Sequence, residues 1–352
     1  MSEIHQRKGA AASAEVPAVT ENEAKAEAKA QLLRKKKSSL KGDLMFTLFL
    51  IFYGASTYAS FKGLIPWQKW EIYSLAELVV WAELMRDHVW IPILLSALYI
   101  IFCFGGQAIL KNRKGWDKEL RLPLAWWSLF LAVFSFVGSL RTVPPMFSIL
   151  NKRGVVHLVC GDTRYEWLIE NPAGFWTLVF CLSKVPELID TAFIVLRKKE
   201  LITLHWYHHF TVMLFCWQAW ATCTLNGLIF AAMNLSVHTV MYTFYALTAI
   251  GYRPTRFAIF ITLGQILQMV VGTAVTFYVN MDKLVWHPVK EFDFSMHIPS
   301  WFYVREERPD NEACHVSTGN AVAGLIMYGS YLGFFVAFFY NAYCAKGAKG
   351  EA

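Results

Sequence analysis

Three histidines lie close together in an otherwise apolar stretch. Residues 201–210 read LITLHWYHHF and contain His205, His208 and His209. At this spacing of i, i+3 and i+4, the three imidazoles share one face of a helix. Ionisable side chains are costly in hydrocarbon, and those inside apolar helices usually mark a functional site. The spacing therefore predicts a reactive or ligand-binding face on an apolar helix.

Three further apolar segments carry polar residues at helical spacing. They are Lys184, Glu187, Asp190 and Thr191 in KVPELIDT, Asn234, His238, Met241, Tyr242 and Tyr245 in NLSVHTVMYTFY, and Thr262, Gln265 and Gln268 in TLGQILQ. Such narrow polar faces pack against one another or line a water-filled cavity. The glutamine pair is explained equally well as a hydrogen-bonded contact between helices. The histidines together with Lys184, Glu187 and Asp190 predict a functional site.

Metal binding is the first chemistry that this histidine pattern suggests. Histidine is the commonest metal ligand, and HxxHH is one of the histidine boxes of membrane di-iron desaturases and hydroxylases. Those enzymes need further boxes, whereas the other histidines here, apart from His238, are scattered in predicted tails and loops. A di-iron site therefore lacks ligands, and a mononuclear histidine–metal membrane oxidoreductase remains an alternative.

Covalent catalysis without a metal is the second chemistry. A neutral imidazole is a competent nucleophile near neutral pH because its unperturbed pKa is about 6.5. It can attack a thioester to give an acyl-imidazole, while a neighbouring histidine or carboxylate fixes the tautomer and moves the proton. No cysteine or serine in these segments has a comparable set of histidines and an aspartate around it.

The composition predicts an all-α, polytopic membrane protein. The 352 residues are 56% hydrophobic and 17% charged, which is less charge than the roughly 25% of soluble proteins. The net charge of +7 lies in short basic runs beside apolar segments, a pattern typical of membrane topology and not of nucleic-acid binding. The predicted spans are 44–62, 89–110, 123–143, 173–196, 201–222, 225–249, 256–280 and 320–345.

The chain divides into four predicted parts. Residues 1–43 are rich in Ala, Lys and Glu and predict a disordered or weakly helical cytosolic tail. Residues 44–88 form an extra apolar segment with a loop, and 44–62 could lie on the membrane surface instead of spanning it. Residues 89–345 form the membrane domain, and 346–352 form a second cytosolic tail. Lysine and arginine are concentrated in the tails and loops that eight spans place on the cytosolic side.

The cysteines fall into two groups. Five lie in or beside predicted spans, where cysteine is usually a small apolar residue. Cys160 and Cys314 lie in two long loops that the topology places on the same, non-cytosolic side. A disulfide is allowed there if that side is oxidising, and two free thiols are the alternative.

Four motifs together resemble one known family. K-x-x-E-x-x-D-T from Lys184, HxxHH from His205, N-x-x-x-H-x-x-M-Y from Asn234 and T-x-x-Q-x-x-Q from Thr262 follow in this order. Their order and spacing are similar to the ELO family of very-long-chain fatty acid elongases, over about residues 89–345. Trp206 in LHWYHH resembles the branch that acts on saturated and monounsaturated chains.

The resemblance implies a fold, a reaction and roles for the polar residues. It implies seven core helices around an acyl tunnel, while the possible eighth, N-terminal span lies outside the resemblance. The implied enzyme is a very-long-chain 3-oxoacyl-CoA synthase, which condenses acyl-CoA with malonyl-CoA and releases CO₂ and CoA. His208 would be the nucleophile and His238 its partner. His205, His209 and Asp190 would orient the imidazoles and move protons. The implied substrate-binding residues are Lys184, Glu187, Asn234, Tyr242, Gln265 and Gln268.

Further implications of the resemblance concern cofactors, partners and location. No cofactor or metal is expected beside the substrates. The family pattern implies a lumenal disulfide between Cys160 and Cys314 and residence in the membrane of the endoplasmic reticulum. The expected partners are membrane lipid and the reductases and dehydratase of the elongation cycle, and a homodimer is a further expectation.

A short basic run lies just before the histidine-containing segment. Arg197, Lys198 and Lys199 lie at the cytosolic end of the helix that carries Asp190, where they could hold the phosphates of CoA. A basic loop that only sets topology explains them equally well.

A transporter or receptor with an intramembrane histidine cluster is the rival function from another class. The absence of an internal repeat and the concentration of charged residues within 184–238 argue against it.

The sequence generates a substrate prediction. The LHWYHH context predicts a saturated or monounsaturated acyl-CoA of about palmitoyl length as the preferred substrate. The measurement is kcat/KM across a panel of acyl-CoAs that differ in length and unsaturation. Clearly higher kcat/KM for polyunsaturated chains would contradict the assignment.

Overall fold

A computed structural model describes residues 21–161, 172–224, 226–286 and 314–345. Within these ranges the regular elements are all helical, so the predicted all-α fold class is confirmed. The outermost parts of the predicted tails, residues 1–20 and 346–352, lie outside the described residues.

Ten α-helices follow one another along the described chain. They are α1 (Glu21–Phe61), α2 (Leu75–Asp87), α3 (Trp90–Leu110), α4 (Arg121–Cys160), α5 (Pro172–Ser183), α6 (Ile189–Leu196), α7 (Thr203–Ala221), α8 (Gly227–Ile250), α9 (Ala258–Trp286) and α10 (Thr318–Phe339). Single 3₁₀ turns are found at Lys69–Glu71, Pro186–Leu188 and Thr255–Phe257, and α10 continues as a π turn over Tyr340–Cys344.

Six helical segments in the described ranges are long and apolar enough to cross a membrane. They are Ala28–Phe61, Trp90–Leu110, Arg121–Cys160, Gly227–Ile250, Thr255–Asp282 and Thr318–Cys344. The chain is therefore a multi-pass membrane protein. The predicted spans 173–196 and 201–222 are helical as well, but the first is broken into two short helices and the second carries the histidines. The total of eight spans stays a prediction.

The structure differs from the prediction in two parts of the amino-terminal region, residues 21–43 and the loop after residue 62. Residues 21–43, predicted to be disordered or weakly helical, belong to the long helix α1. Ala, Lys and Glu all favour helix, and neither Gly nor Pro interrupts residues 21–41, so α1 extends outward from its apolar part. The predicted loop after residue 62 contains α2, whose first turn is capped by the Ser74 side chain with Glu77.

The helix that carries the KxxExxDT motif is interrupted at its proline. The sequence predicts one span over 173–196, and the structure shows α5, a 3₁₀ turn from Pro186, and then α6. Proline lacks the N–H that a continuous helix needs and breaks the hydrogen-bond ladder there. Lys184 and Glu187 pair at i, i+3 across this break, and Asp190 lies in the first turn of α6.

The core lies where α4 packs along α8 and α9 packs along α10. Gly138 on α4 makes the first contact possible, since a Cβ there would meet Leu235 and Trp176 at 3.0–3.2 Å. In the second contact, Gly272 on α9 lies against the ring of Tyr328 on α10. Tyr328 also packs on Phe230 of α8, with their ring centroids 4.8 Å apart. The histidine-bearing helix α7 contacts both α8 and α10.

Two connections close the end of the bundle that the topology assigns to the lumen. A disulfide joins Cys160 at the end of α4 to Cys314 just before α10, across 154 residues of sequence. The buried Glu71 accepts hydrogen bonds from Arg141 Nε at 2.9 Å and from Trp176 Nε1 at 2.8 Å. This ion pair ties the segment after α1 to α4 and α5.

Reduction of the disulfide should weaken the fold more than the chemistry. Replacing both Cys160 and Cys314 by serine should lower the free energy of unfolding by about 2–5 kcal/mol, because a long loop in the unfolded chain is released. The measurement is thermal unfolding of the purified protein, with Cys344→Ser, a change at an exposed free cysteine, as the control. Unreduced peptides should show the cross-link, and two freely alkylated thiols would contradict it.

Candidate active site

The three histidines of α7 lie on one face of that helix, as their spacing predicts. The ring centroids of His205 and His209 are 4.4 Å apart, and those of His208 and His209 are 5.6 Å apart. His209 is buried, and all three residues line the main cavity of the described chain. This wall of imidazoles faces α6, α8 and α9.

A buried chain of polar contacts leads from Lys184 to His238. Lys184 Nζ donates to both carboxylate oxygens of Glu187 at 2.7 and 2.9 Å and to Asn234 Oδ1 at 3.1 Å. Ser183 also donates to Glu187, at 2.8 Å. Asn234 Nδ2 lies 3.2 Å from His238 Nε2.

These contacts fix the tautomer of His238. An ammonium can only donate, so it holds the carbonyl oxygen of Asn234 on its own side. The amide nitrogen of Asn234 then faces His238 and donates to Nε2, which must be the unprotonated nitrogen. The proton of neutral His238 is therefore on Nδ1. Because Asn234 and His238 are one helical turn apart on α8, the predicted i, i+4 spacing is what makes this contact.

Asp190 is held by two neutral donors. Trp127 Nε1 donates to Asp190 Oδ1, and Tyr242 OH donates to Oδ2, each at 2.6 Å. Next to it, Thr191 Oγ1 lies 2.9 Å from His205 Nε2 and 2.8 Å from Tyr99 OH. The structure thus places Asp190 beside the predicted Tyr242 and connects the next residue to His205.

Trp127 and Tyr99 complete these contacts but belong to none of the sequence motifs. They lie on α4 and α3, before the polar segments begin, and each is one aromatic residue among many in an apolar helix. Tyr331 on α10 was missed for the same reason. Its hydroxyl donates to the backbone carbonyl of His208 at 3.1 Å, and its ring centroid lies 4.7 Å from that of His208.

The two nitrogens of His208 have different surroundings. Nδ1 is buried and makes no hydrogen bond to the described part of the chain. Because Nδ1 is buried, Nε2 is the nitrogen of this cavity-lining residue that is left for a bound molecule. Tyr331 holds the backbone carbonyl and packs on the ring, which keeps the imidazole in this orientation.

One cavity of about 690 Å³ gathers most of the predicted residues. Its polar wall consists of Asp190, His205, His208, His209, Asn234, His238, Tyr242, Gln265 and Gln268. Its apolar lining includes Leu124, Phe193, Met241, Met269, Phe335 and Phe338. Gln265 lines the cavity and also donates to Met241 Sδ at 3.2 Å, so it both faces the site and links α9 to α8. Lys184 and Glu187 lie behind this wall and act on it through Asn234.

Charged residues surround the mouth of the cavity. Arg197 and Lys199 line it, as do the exposed Lys118 and Arg121, together with Arg253. These last three cations were not singled out from the sequence, because they lie in separate turns far apart along the chain. The mouth therefore combines basic groups from the α3–α4, α6–α7 and α8–α9 connections.

Asp117 is the carboxylate at this mouth, and it holds two of the cations. Arg197 lies 2.8 Å and Lys199 3.1 Å from Asp117 Oδ1. Hydrogen bonds from Lys199 and from Arg197 lower the pKa of the exposed Asp117 carboxyl. The carboxylate therefore stays charged at neutral pH, and protonating it in acid would release the two cations.

Lys198 does not fit its predicted place. Its ammonium donates to the backbone carbonyls of Lys111 and Arg113 at 2.9 and 2.8 Å, and the residue does not line the cavity. These carbonyls lie at the end of α3, where a lysine side chain satisfies free acceptors. Lys198 thus contributes to the fold through this contact. It does not belong with Arg197 and Lys199 at the cavity, contrary to the prediction from the sequence.

The histidines do not converge on a single point. Among the described residues, the one group of three potential ligand atoms within 4.8 Å of one another is Cys160, Asp282 and Cys314. Both of its sulfur atoms are used by the disulfide. The four imidazoles are spread along the cavity wall, which suits contacts to an extended molecule better than four bonds to one ion.

Breaking the buried ion pair should strongly destabilise the protein. Lys184 is 2% exposed, so Lys184→Met would leave the Glu187 carboxylate buried and unpaired, at a cost of about 3–5 kcal/mol. Adding Glu187→Gln to that variant should recover most of this loss. Thermal unfolding of both variants checks this, with Lys152→Met as the control at an exposed lysine. Equal losses of stability in the single and double variants would contradict this prediction.

Comparisons with known proteins identify the family of this chain. The family model described as ELO: GNS1/SUR4 family matches residues 84–351. Very long chain fatty acid elongase 6 of Gallus gallus is 42% identical over 259 residues, which cover 73% of this chain and 86% of the relative. The protein of the same name from Homo sapiens is 42% identical over 257 residues, 73% of this chain and 85% of the relative. Fatty acid elongase 2 of Trypanosoma cruzi (strain CL Brener) is 38% identical over 271 residues, 74% of this chain and 89% of the relative. The chain belongs to the ELO: GNS1/SUR4 family.

Proposed function

We propose that this protein is a fatty acid elongase, which condenses a long-chain acyl-CoA with malonyl-CoA to give 3-ketoacyl-CoA, CO₂ and CoA. In enzyme terms it is a very-long-chain 3-oxoacyl-CoA synthase. The observation that carries the proposal is the wall of four imidazoles between a basic mouth and an apolar lining, within one cavity. Family membership and the elongase names of its relatives support the same reaction.

The shape of the cavity suits the two ends of an acyl-CoA. Arg197, Lys199 and Arg253 at the mouth are suited to the phosphates of CoA, because guanidinium and ammonium groups form charge-assisted hydrogen bonds with them. The apolar lining suits a hydrocarbon chain, which gains about 0.8 kcal/mol for each buried CH₂. A thioester between the two ends lies at the level of the histidines.

The first half-reaction uses His208. Its Nε2, the nitrogen that can reach the cavity, attacks the thioester carbonyl, and the C–S bond breaks. CoA leaves as a thiolate, and the positive charge of the N-acylated imidazole balances it. His205 and His209 line the same wall and orient the thioester, and one of them passes a proton from water to the thiolate, which gives the free thiol of CoA.

The second half-reaction takes place at the same mouth. Malonyl-CoA replaces CoA and loses CO₂, which leaves an enolate that needs a hydrogen-bond donor. His238 supplies that donor from Nδ1, because its Nε2 is occupied by Asn234. The enolate carbon attacks the acyl carbonyl, the C–N bond breaks, and His208 returns to its neutral form. Electrons balance over the two steps without a cofactor or a metal.

Several finer assignments belong to the same proposal. We place the enzyme in the membrane of the endoplasmic reticulum, where a lumenal disulfide is stable. A 3-ketoacyl-CoA product must be reduced, dehydrated and reduced again to a saturated chain, so two reductases and a dehydratase are the partners by chemistry. A homodimer and a preference for saturated or monounsaturated chains of about palmitoyl length complete the assignment.

The covalent scheme makes a testable prediction for His208. With malonyl-CoA left out, labelled acyl-CoA should release CoA and leave its label on the protein. His208→Ala should abolish both this half-reaction and condensation, by about a thousandfold or more, because no other group takes the place of the nucleophile. The measurement is CoA release and protein-bound label in the purified protein, with and without a metal chelator.

His88→Ala is the matched control, since this histidine is only half-buried and does not line the cavity. It should keep both half-reactions, and thermal unfolding should show that His208→Ala is folded. Full activity of His208→Ala would contradict the acyl-histidine step. Loss of wild-type activity on chelation would instead favour the metal-dependent alternative.

A further inference from the structure

The amino-terminal helix α1 lies outside the family match, which begins at residue 84, yet it contacts the mouth of the cavity. Most of α1 faces outward, and large apolar side chains such as Leu48 and Phe52 are 58% and 59% exposed. A helix of this kind would be covered by lipid over most of its length. Residues 38–46 of α1, by contrast, contact the rest of the protein.

Polar contacts seat this part of α1 on the connection between α8 and α9. Ser38 Oγ donates a short hydrogen bond to the backbone carbonyl of Gly251. Ser39 Oγ lies 2.9 Å from Thr255 Oγ1. The Asp43 carboxylate lies 3.5 Å from Arg256 Nε. Three residues within two turns of α1 thus meet one short connection between α8 and α9.

Close packing accompanies these polar contacts. A Cβ added at Gly42 would lie 2.8 Å from the backbone N and C atoms of Arg253, so the two backbones touch only because residue 42 is glycine. One turn further on, Phe46 is 0% exposed, with its ring centroid 4.9 Å from Phe257 and 6.1 Å from Phe244. The contact between residues 38–46 of α1 and the α8–α9 connection, here called the seat of α1, is therefore tightly packed.

The connection that α1 holds also forms part of the cavity mouth. Gly251 and Arg253 both line the cavity. Gly251 has a φ of 101° and ends α8, and Arg121 Nε donates to the carbonyl of Ala249 just before it. The position of this connection therefore sets where Arg253 and Arg121 stand relative to Arg197 and Lys199 across the mouth.

We propose that α1 is a clamp on the α8–α9 connection and that Ser38 and Gly42 are positioning residues for the nucleotide end of CoA. This inference rests on the proposed function for the identity of the ligand. Neither residue touches the substrate, since both act through the backbone of Gly251 and Arg253. Displacing α1 should loosen the grip on the phosphates of CoA and leave the histidine wall unchanged.

The test is a matched pair of glycine substitutions in α1 of the full-length protein. Gly42→Ala places a methyl group against the Arg253 backbone, whereas Gly54→Ala enters open space with nothing within 4 Å. Both changes favour helix to a similar extent, so differences between them report the seat and not the helix. Ser38→Ala, which removes only the bond to Gly251, is a milder second variant.

Two readouts separate positioning from a general structural role. The affinity for CoA should fall roughly three- to tenfold in Gly42→Ala, and less in Ser38→Ala, as expected for disturbing one or two contacts. In condensation assays, KM for acyl-CoA should rise by a similar factor, while kcat and KM for the matching S-acyl pantetheine, which lacks the nucleotide, should stay at wild-type values. Gly54→Ala should match wild type in each measurement.

The outcomes decide the inference independently of the proposed function. Equal CoA affinity in Gly42→Ala, Gly54→Ala and wild type would overturn the clamp, even if thermal stability differed. Equal increases in KM for acyl-CoA and for S-acyl pantetheine would overturn it too, as would a wild-type protein that does not bind CoA. A wild-type protein that binds CoA but forms no 3-ketoacyl product would refute the proposed reaction, while the affinity comparison would still decide the clamp.

Discussion

The buried ammonium of Lys184 is the constraint on which the site depends. An unpaired charge is far too costly in the interior of a membrane protein, so this group must be surrounded by acceptors. Glu187 and Asn234 are those acceptors, and each is placed by a different helix. The i, i+3 spacing across Pro186 places Glu187 beside Lys184, and the packing of α8 beside α5 places Asn234 there.

The orientation of His238 follows from this constraint. Because Lys184 fixes the amide of Asn234, the proton of His238 is held on the nitrogen away from Asn234. His208 is held independently by Tyr331 from α10. The two imidazoles that divide the proposed reaction therefore owe their orientation to separate parts of the bundle, and the cavity between them joins a charged mouth to an apolar lining.

The sequence predicts this site well where helical spacing carries the information. The polar faces around Asp190, His208, His238 and Gln265 come together in one cavity because each recurs every three or four residues in an apolar helix.

Other contacts of the site cannot be recognised from helical spacing in the sequence. Tyr99, Trp127 and Tyr331 are single aromatic residues in apolar helices, and only the packing of α3, α4 and α10 shows that they contact the polar residues. Lys198 was grouped with its neighbours by position, but its backbone has a φ of 53° and its side chain leaves the mouth for the end of α3. The seat of α1 depends on a close approach between residues more than 200 positions apart, which spacing along the chain does not reveal.

The central claim is that the acyl group is carried on one particular imidazole. The most direct measurement is peptide mass spectrometry of the protein after incubation with acyl-CoA alone, quenched before the adduct hydrolyses. The account predicts an acyl group on His208. An acyl group on another residue, or CoA release without any protein adduct, would contradict it.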